Sequence, residues 1–335
     1  LMVAPMLPAG SLRRTAGFVL GLPSLLLLLV SLAYGSQRFQ ALSGYLSMPL
    51  SDNLASSIIV IGLPFAFASL WLGVAERRFL PALTGGLALF VGVAALVLTG
   101  SRGAWIGLAA GVMIAGYLLI RHSLVARRGR TPVWLLLADV ALILIFLGAV
   151  VFYAAMIRSP ELDAQFGISA QGGSALSRMA LWRDSLPLIQ DYFFTGSGLA
   201  GTAMIYATYA YLLHVPYLFH AHNLYLQVAL EQGVPGLIAF VGIFAAAVLY
   251  IVNAWQRTDR TGRALFAAGY AATAALLVHG LFDAELYFSP LAPLVFLAPA
   301  LLLWSASSVY RQAHSGEEDE TTSAGGMAGV VMGLG

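Results

Sequence analysis

Residues 79–120 read FLPALTGGLALFVGVAALVLTGSRGAWIGLAAGVMIAGYLLI, and Arg102 is the only charged side chain among them. A helix of about 20 apolar residues crosses the hydrocarbon core of a bilayer. This run holds two such stretches, 79–99 and 104–120, joined by a turn that Gly100 and Gly103 keep tight. Six more qualify, near 16–34, 54–74, 133–157, 234–254, 264–282 and 290–306. Hydrophobic residues make up 60% of the 335-residue chain and charged ones 10%, more apolar surface than a soluble domain of this length buries. The expected fold is therefore all-α: a polytopic transmembrane helix bundle of about eight spans. The transmembrane domain covers 1–312, and the acidic, then glycine-rich 313–335 reads as a disordered cytoplasmic tail.

Composition also excludes classes. With no cysteine there is neither a disulfide framework nor a thiolate metal site. A net charge of +2 leaves no footprint for nucleic acid. The apolar run after Arg13 and Arg14 lacks the small-residue cleavage site of a secretory signal. The chain opens on Leu1, so an upstream portion is expected.

Arginine supplies all 17 basic residues. Cytoplasmic connections carry the excess of positive charge. With both termini in the cytoplasm, only Arg38, Arg102, Arg158, Arg178 and Arg183 fall outside, against twelve within. Those five stand against the rule, and an anionic ligand is one explanation for them. Arg102 heads the fourth span. There a guanidinium and free backbone N–H groups together form an anion site; the alternative is a side chain that snorkels to lipid headgroups.

The long outside connection, 158–233, separates spans five and six. Loops of this length are functional or disordered, and this one is too aromatic for disorder. Ser177–Ile189 has the period of an amphipathic helix lying on the membrane surface, with Ser177 as N-cap and Met179, Trp182, Leu186 and Ile189 as its apolar stripe. Arg178 borders that stripe. Arg183 points elsewhere, toward lipid phosphate, a carboxylate or substrate. Tyr206, Tyr209, Tyr211 and Tyr217 suit the headgroup belt.

His222 opens the next helix, which runs to Gln232 before Gly233-Val234-Pro235-Gly236 breaks it, and His222 shares a face with Leu226 and Ala229. A neutral imidazole at a membrane boundary can take a proton from a hydroxyl. Glu231, nine residues on, would be about 13 Å away on the opposite face, so a partner that orients His222 must come from elsewhere. His214, His220 and His279 read as structural, and Asp283 and Glu285 as solvated. No metal site is expected: His220 and His222 are two apart, without an acidic ligand nearby. No cofactor is expected, and no glycine-rich nucleotide loop occurs on the cytoplasmic side.

Three segments carry a resemblance: Gly100-Ser101-Arg102-Gly103-Ala104-Trp105; Ser177-Arg178-Met179-Ala180-Leu181-Trp182 with Gly196-Ser197-Gly198; and Ala221-His222-Asn223-Leu224-Tyr225-Leu226-Gln227 through Gly236. In this order they resemble the O-antigen ligase and polymerase family of bacterial envelope glycosyltransferases, over roughly Ser51 to Tyr250. The resemblance implies metal-independent transfer of a glycan from a polyprenyl-diphosphate donor to a hydroxyl on a glycan, lipid or protein, at the periplasmic face of the inner membrane. It implies Arg102 and Arg178 as the diphosphate-binding pair and His222 as the base; Arg183, Asn223 and Trp182 are the expected substrate-binding positions. Family members usually have more spans, which points to a truncated or shortened chain.

Two other classes compete. An anion transporter should carry ionisable groups at midspan; in the expected spans only Asp139 lies within one, about a quarter of the way in. A non-catalytic scaffold would leave Arg102, Arg178 and His222 individually dispensable.

Overall fold

The computed structural model describes residues 12–38, 50–129, 131–141, 144, 174–202, 204–205, 220–255 and 258–307. Among them every regular element is helical. Helices α1 (Leu12–Arg38), α2 (Asp52–Ala75), α3 (Phe79–Thr99) and α4 (Arg102–Arg128) run up and down. A helical segment, α5, covers 133–141. Then come α6 (Ser174–Asp191), α7 (Leu224–Ala254), α8 (Arg260–His279) and the single turn α9 (Glu285–Phe288). A 3₁₀ turn at Ala292–Phe296 leads into α10, residues 297–307.

Six of these helices are long and apolar enough to span a membrane: α1 to α4, α7 and α8. The expected span 133–157 lies mostly outside the described residues. The last expected span is the shorter apolar stretch Ala292–Ser307. The tail 313–335, Arg158, His214 and the four belt tyrosines lie outside them as well. Phe90, Val97, Met113 and Ile120 project from the bundle, as side chains facing lipid tails do.

Local chemistry sets the helix ends. The Ser51 hydroxyl accepts from Leu54 N at 3.1 Å and starts α2. Gly100, in the left-handed region at φ 61°, stops α3, and Ser101 caps α4 by accepting from Ala104 N. Tyr34 near the end of α1 donates to Asp52 at 2.6 Å and to the Leu98 carbonyl at 3.4 Å. That contact brings the α1 end, the α2 start and the α3 end together. Call this the site end.

At the opposite end, Thr261 donates to Glu76. Arg121 forks onto Asp139 at 3.0 and 3.1 Å, with Tyr117 donating to the same carboxylate. Asp139 is thus half of an ion pair that ties α5 to α4.

The tightest seam joins α4 to α8. A Cβ added at Gly107 or Gly111 would stand 2.6 Å from the Ala275 carbonyl oxygen or 2.3 Å from that of Ala271. At Gly103 it would stand 2.9 Å from Phe282 Cβ. Three glycines spaced by four let the two backbones touch, the small-residue rule of membrane helices. The seam sets the head of α4, and Arg102 with it, beside the turn that follows α8.

A second close approach fixes the long connection. Gly233 breaks α7 at φ 70° and ψ 178°, a conformation open essentially to glycine alone. The chain leaving α6 uses the break: Ser197 N donates to the Leu230 carbonyl, Gly198 N to Glu231 O, and Val234 N to Phe193 O, at 2.8, 3.0 and 2.8 Å. Helix α6 begins at Ser174, so Ser177 lies inside it rather than capping it. Its buried stripe is Leu181, Trp182, Ser185 and Leu188. Leu181 and Leu188 pack on Ala221 and Leu230. The helix therefore covers its apolar face with α7 instead of resting that face on lipid.

Candidate functional site

The site is built around the turn after α8, residues 280–284, which the three sequence segments all reach. From α7, Leu224 N donates to the Gly280 carbonyl at 2.7 Å and Asn223 Nδ2 to Leu281 O at 3.1 Å. From α6, Arg178 Nη1 donates to Phe282 O at 3.0 Å. From α4, Gly103 abuts the Phe282 side chain. His222 Nδ1 meets Asp283 Oδ2 at 3.3 Å.

Asp283 is the residue that sequence reasoning missed. Expected to be solvated, its side chain is 2% exposed. Helix α8 is capped by the bonds Gly280 N to Leu276 O and Asp283 N to His279 O, which fold the chain back and turn the carboxylate inward. Its Oδ1 accepts from Glu285 N at 2.7 Å, and its Oδ2 faces His222. Burial opposes its charge. The His222 hydrogen bond, the Glu285 N–H and the nearby His279 and His220 outweigh that and hold the carboxyl below its usual range. Glu285 is also no solvated side chain: it is half-buried and accepts from the Ser51 hydroxyl. Burial pushes its carboxyl up, the Ser51 bond opposes this, and the charge of Asp283 adds to it.

His222 is not the first residue of a helix. It stands two residues before α7 in the left-handed region, φ 48°, which few residues other than glycine adopt. Its side chain is 29% exposed, so part of it is open while Nδ1 is engaged. With Nδ1–H donating to Asp283, the lone pair sits on Nε2, the tautomer of a general base.

The neighbours of His222 are held in place. Asn223 caps α7, its Oδ1 accepting from Tyr225 N and Leu226 N at 3.0 Å each. Trp182 Nε1 donates to Ala221 O at 2.9 Å, and Ala221 N donates to Gln227 Oε1 at 2.8 Å. Gln227 in turn donates to Glu231 and to Thr202. Trp182 and Asn223 are both buried and spend these polar atoms on the backbone around the histidine. Glu231 supports the loop through Gln227 and lies apart from the imidazole.

The arginines differ in setting. Arg102 is exposed at the first turn of α4, above Ser101 and the free N–H groups there. Arg178 is half-buried and bound to Phe282 O. Arg183, half-buried, is further along α6. His279 is buried, with Nε2 3.1 Å from the Ser57 hydroxyl. His220 lies edge-on to His222, ring centroids 4.1 Å apart. Among the described residues no group of three or more His, Asp or Glu is arranged to hold a metal. The arrangement offers two guanidiniums for an anion and one Asp-oriented imidazole for a hydroxyl proton.

A family model described as O-antigen ligase matches residues 87–241. The match runs from within α3 to just past the middle of α7 and contains Arg102, Arg178 and His222, while Asp283 lies beyond it. A comparison with the curated proteins finds no match.

Proposed function

We propose, from the premise that residues 87–241 carry the O-antigen ligase domain, that this multi-pass bacterial inner-membrane enzyme moves a glycan from a polyprenyl-diphosphate carrier to an acceptor hydroxyl. The observation that carries the proposal is the convergence of Arg178, the Arg102 turn and His222 on one turn whose buried Asp283 orients the histidine.

The acceptor oxygen attacks the anomeric carbon of the donor as its O–H proton passes to His222 Nε2. The anomeric C–O bond to the diphosphate breaks, and the carrier departs as the diphosphate. Asp283 stabilises the imidazolium that forms, as an aspartate does beside a catalytic histidine. Arg102 and Arg178 balance the charge that grows on the leaving group, a role for preorganised donors. No step in this scheme calls for a metal. Arg102 binds at a helix head, where its fork and the N–H groups of α4 address the same phosphate oxygens.

The arginine distribution supports a periplasmic site. Arg77, Arg78, Arg121, Arg127, Arg260 and Arg263 gather at the end opposite the site, which is the cytoplasmic end by the positive-inside rule. The acceptor could be the lipid A core or a further glycan; the second makes the enzyme a polymerase with the same chemistry. A transporter is less well supported, because Asp139 is neutralised by Arg121 near the arginine-rich end.

The test is transfer in proteoliposomes from a polyprenyl-diphosphate oligosaccharide to lipid A core. His222→Ala and Arg178→Ala should abolish it while inserting normally. Unchanged transfer in both would remove the proposal.

A further inference from the structure

We propose that His220 is a positioning residue for the base: its Nδ1 accepts the backbone N–H of His222 and holds that residue in the left-handed conformation that meets Asp283. The inference rests on the reading of His222 as the base.

The residues on either side of His222 are secured by buried side chains. Ala221 is gripped on both its N–H and its carbonyl, by Gln227 and Trp182. Asn223 is fixed as the cap of α7. His222 itself occupies an unfavourable backbone region, φ 48°. Among the described residues, its N–H is met by His220 Nδ1 at 3.3 Å. This is a side-chain acceptor bonding the N–H two residues on, the pattern by which Asn and Asp close an Asx turn.

The bond requires an unprotonated Nδ1, hence a neutral ring. Burial keeps it so, with His222 and Arg178 opposing a charge there and Asp283 favouring one. The His220 ring fills the space between His222, 4.1 Å away edge-on, and Phe288, 5.8 Å away. A neutral His220 also leaves the Asp283 carboxylate to His222.

The experiment compares His220→Asn, His220→Gln and His220→Phe with wild type and with His222→Ala. All are full-length chains in proteoliposomes, with a polyprenyl-diphosphate oligosaccharide as donor and lipid A core as acceptor. Asparagine supplies an oxygen that closes the same turn, and should keep kcat within a few-fold. Phenylalanine keeps the ring and loses the acceptor. Glutamine is one methylene too long for the turn. Both should lose about 10²-fold in kcat with donor KM unchanged, since a misplaced catalytic group costs about that much.

Asparagine as poor as phenylalanine would mean that the imidazole itself is needed, and would overturn the inference. So would full kcat in all three variants. If the phenylalanine variant fails to insert, the contrast of asparagine with glutamine decides alone. Retained transfer in His222→Ala would instead overturn the reading of the base, a separate outcome.

Discussion

Asp283 and His222, 61 residues apart in the chain, meet side chain to side chain at 3.3 Å, Oδ2 to Nδ1. The carboxylate is buried and the imidazole is partly open. That asymmetry suits a base whose inner nitrogen is fixed and whose outer nitrogen meets substrate. Asp283→Asn keeps the side-chain shape but removes the charge that stabilises an imidazolium. Transfer should fall by roughly 10²- to 10⁴-fold in kcat, the range for general-base catalysis and its orienting carboxylate. Full kcat in the Asn variant would take Asp283 out of the mechanism.

The two arginines should separate by stability. Arg178 gives one of its donors to the Phe282 carbonyl in a half-buried position. Arg178→Ala should therefore lower transfer and also lower the melting temperature, the stability lost being that of a charged hydrogen bond, about 1.5–3 kcal/mol. Arg102 is exposed at the head of α4, and Arg102→Ala should lower transfer with the melting temperature unchanged. Arg→Lys at either position loses the two-pronged fit to phosphate and should raise donor KM. Equal melting shifts for the two alanine variants would contradict the placement given to Arg178.

The α4–α8 seam makes a prediction far from the chemistry. Gly111→Ala puts a methyl 2.3 Å from the Ala271 carbonyl oxygen. The helices must part, at about 1–3 kcal/mol for an overpacked contact, and the turn beside Phe282 shifts with them. Melting in detergent should drop and transfer should fall more than the unfolded fraction explains. A melting temperature equal to wild type would show that the α4–α8 seam has room for a methyl group.

That seam was legible in Gly103, Gly107 and Gly111, whose spacing of four is a known close-approach signal, yet apolar periodicity alone passed over it. Spans were readable because lipid demands long apolar helices. Arg102, Arg178 and His222 stood out as candidates because each sits in a short local motif. Asp283 was not. Its burial comes from a fold-back after α8 that no local pattern announces, and its acidic neighbour Glu285 made the turn look solvated. The apolar stripe of α6 was assigned to lipid for a similar reason: only tertiary contact shows that Ala221 and Leu230 cover it.

The clamp between α6 and the α7 break should be intolerant of side chains. At Gly196, φ 63°, a Cβ would lie 2.2 Å from the Glu231 carbonyl oxygen; at Gly233, φ 70°, it would lie 2.6 Å from Phe193 O. Gly233→Ala also pays for a backbone region nearly closed to alanine, on the order of 1–3 kcal/mol. Releasing the clamp loosens the α6 anchor that carries Arg178 against the turn that carries Asp283. Transfer should drop sharply while membrane insertion stays normal, and protease should cut the connection faster than in wild type. Unchanged protease resistance would refute the clamp.

Acid should loosen the site through His220. Burial first, then repulsion from His222 and Arg178, pushes this imidazole from its ordinary 6.5 down to about 4, against the pull of Asp283. The folded protein therefore binds that proton later than the unfolded chain does as pH falls. Stability tied to the neutral ring is fully present above pH 6.5 and is lost between 6.5 and 4. Asp283 remains charged across that window, because its carboxyl is held below the usual range. Glu285 works in the other direction. Its raised carboxyl takes up a proton sooner in the fold than out of it, which offsets part of the loss just above its ordinary 4.5. The melting temperature in detergent should fall from pH 6.5 toward 4, and His220→Asn, with nothing to titrate at that position, should flatten the fall. Parallel curves for the two proteins would break the link between His220 and the acid limb.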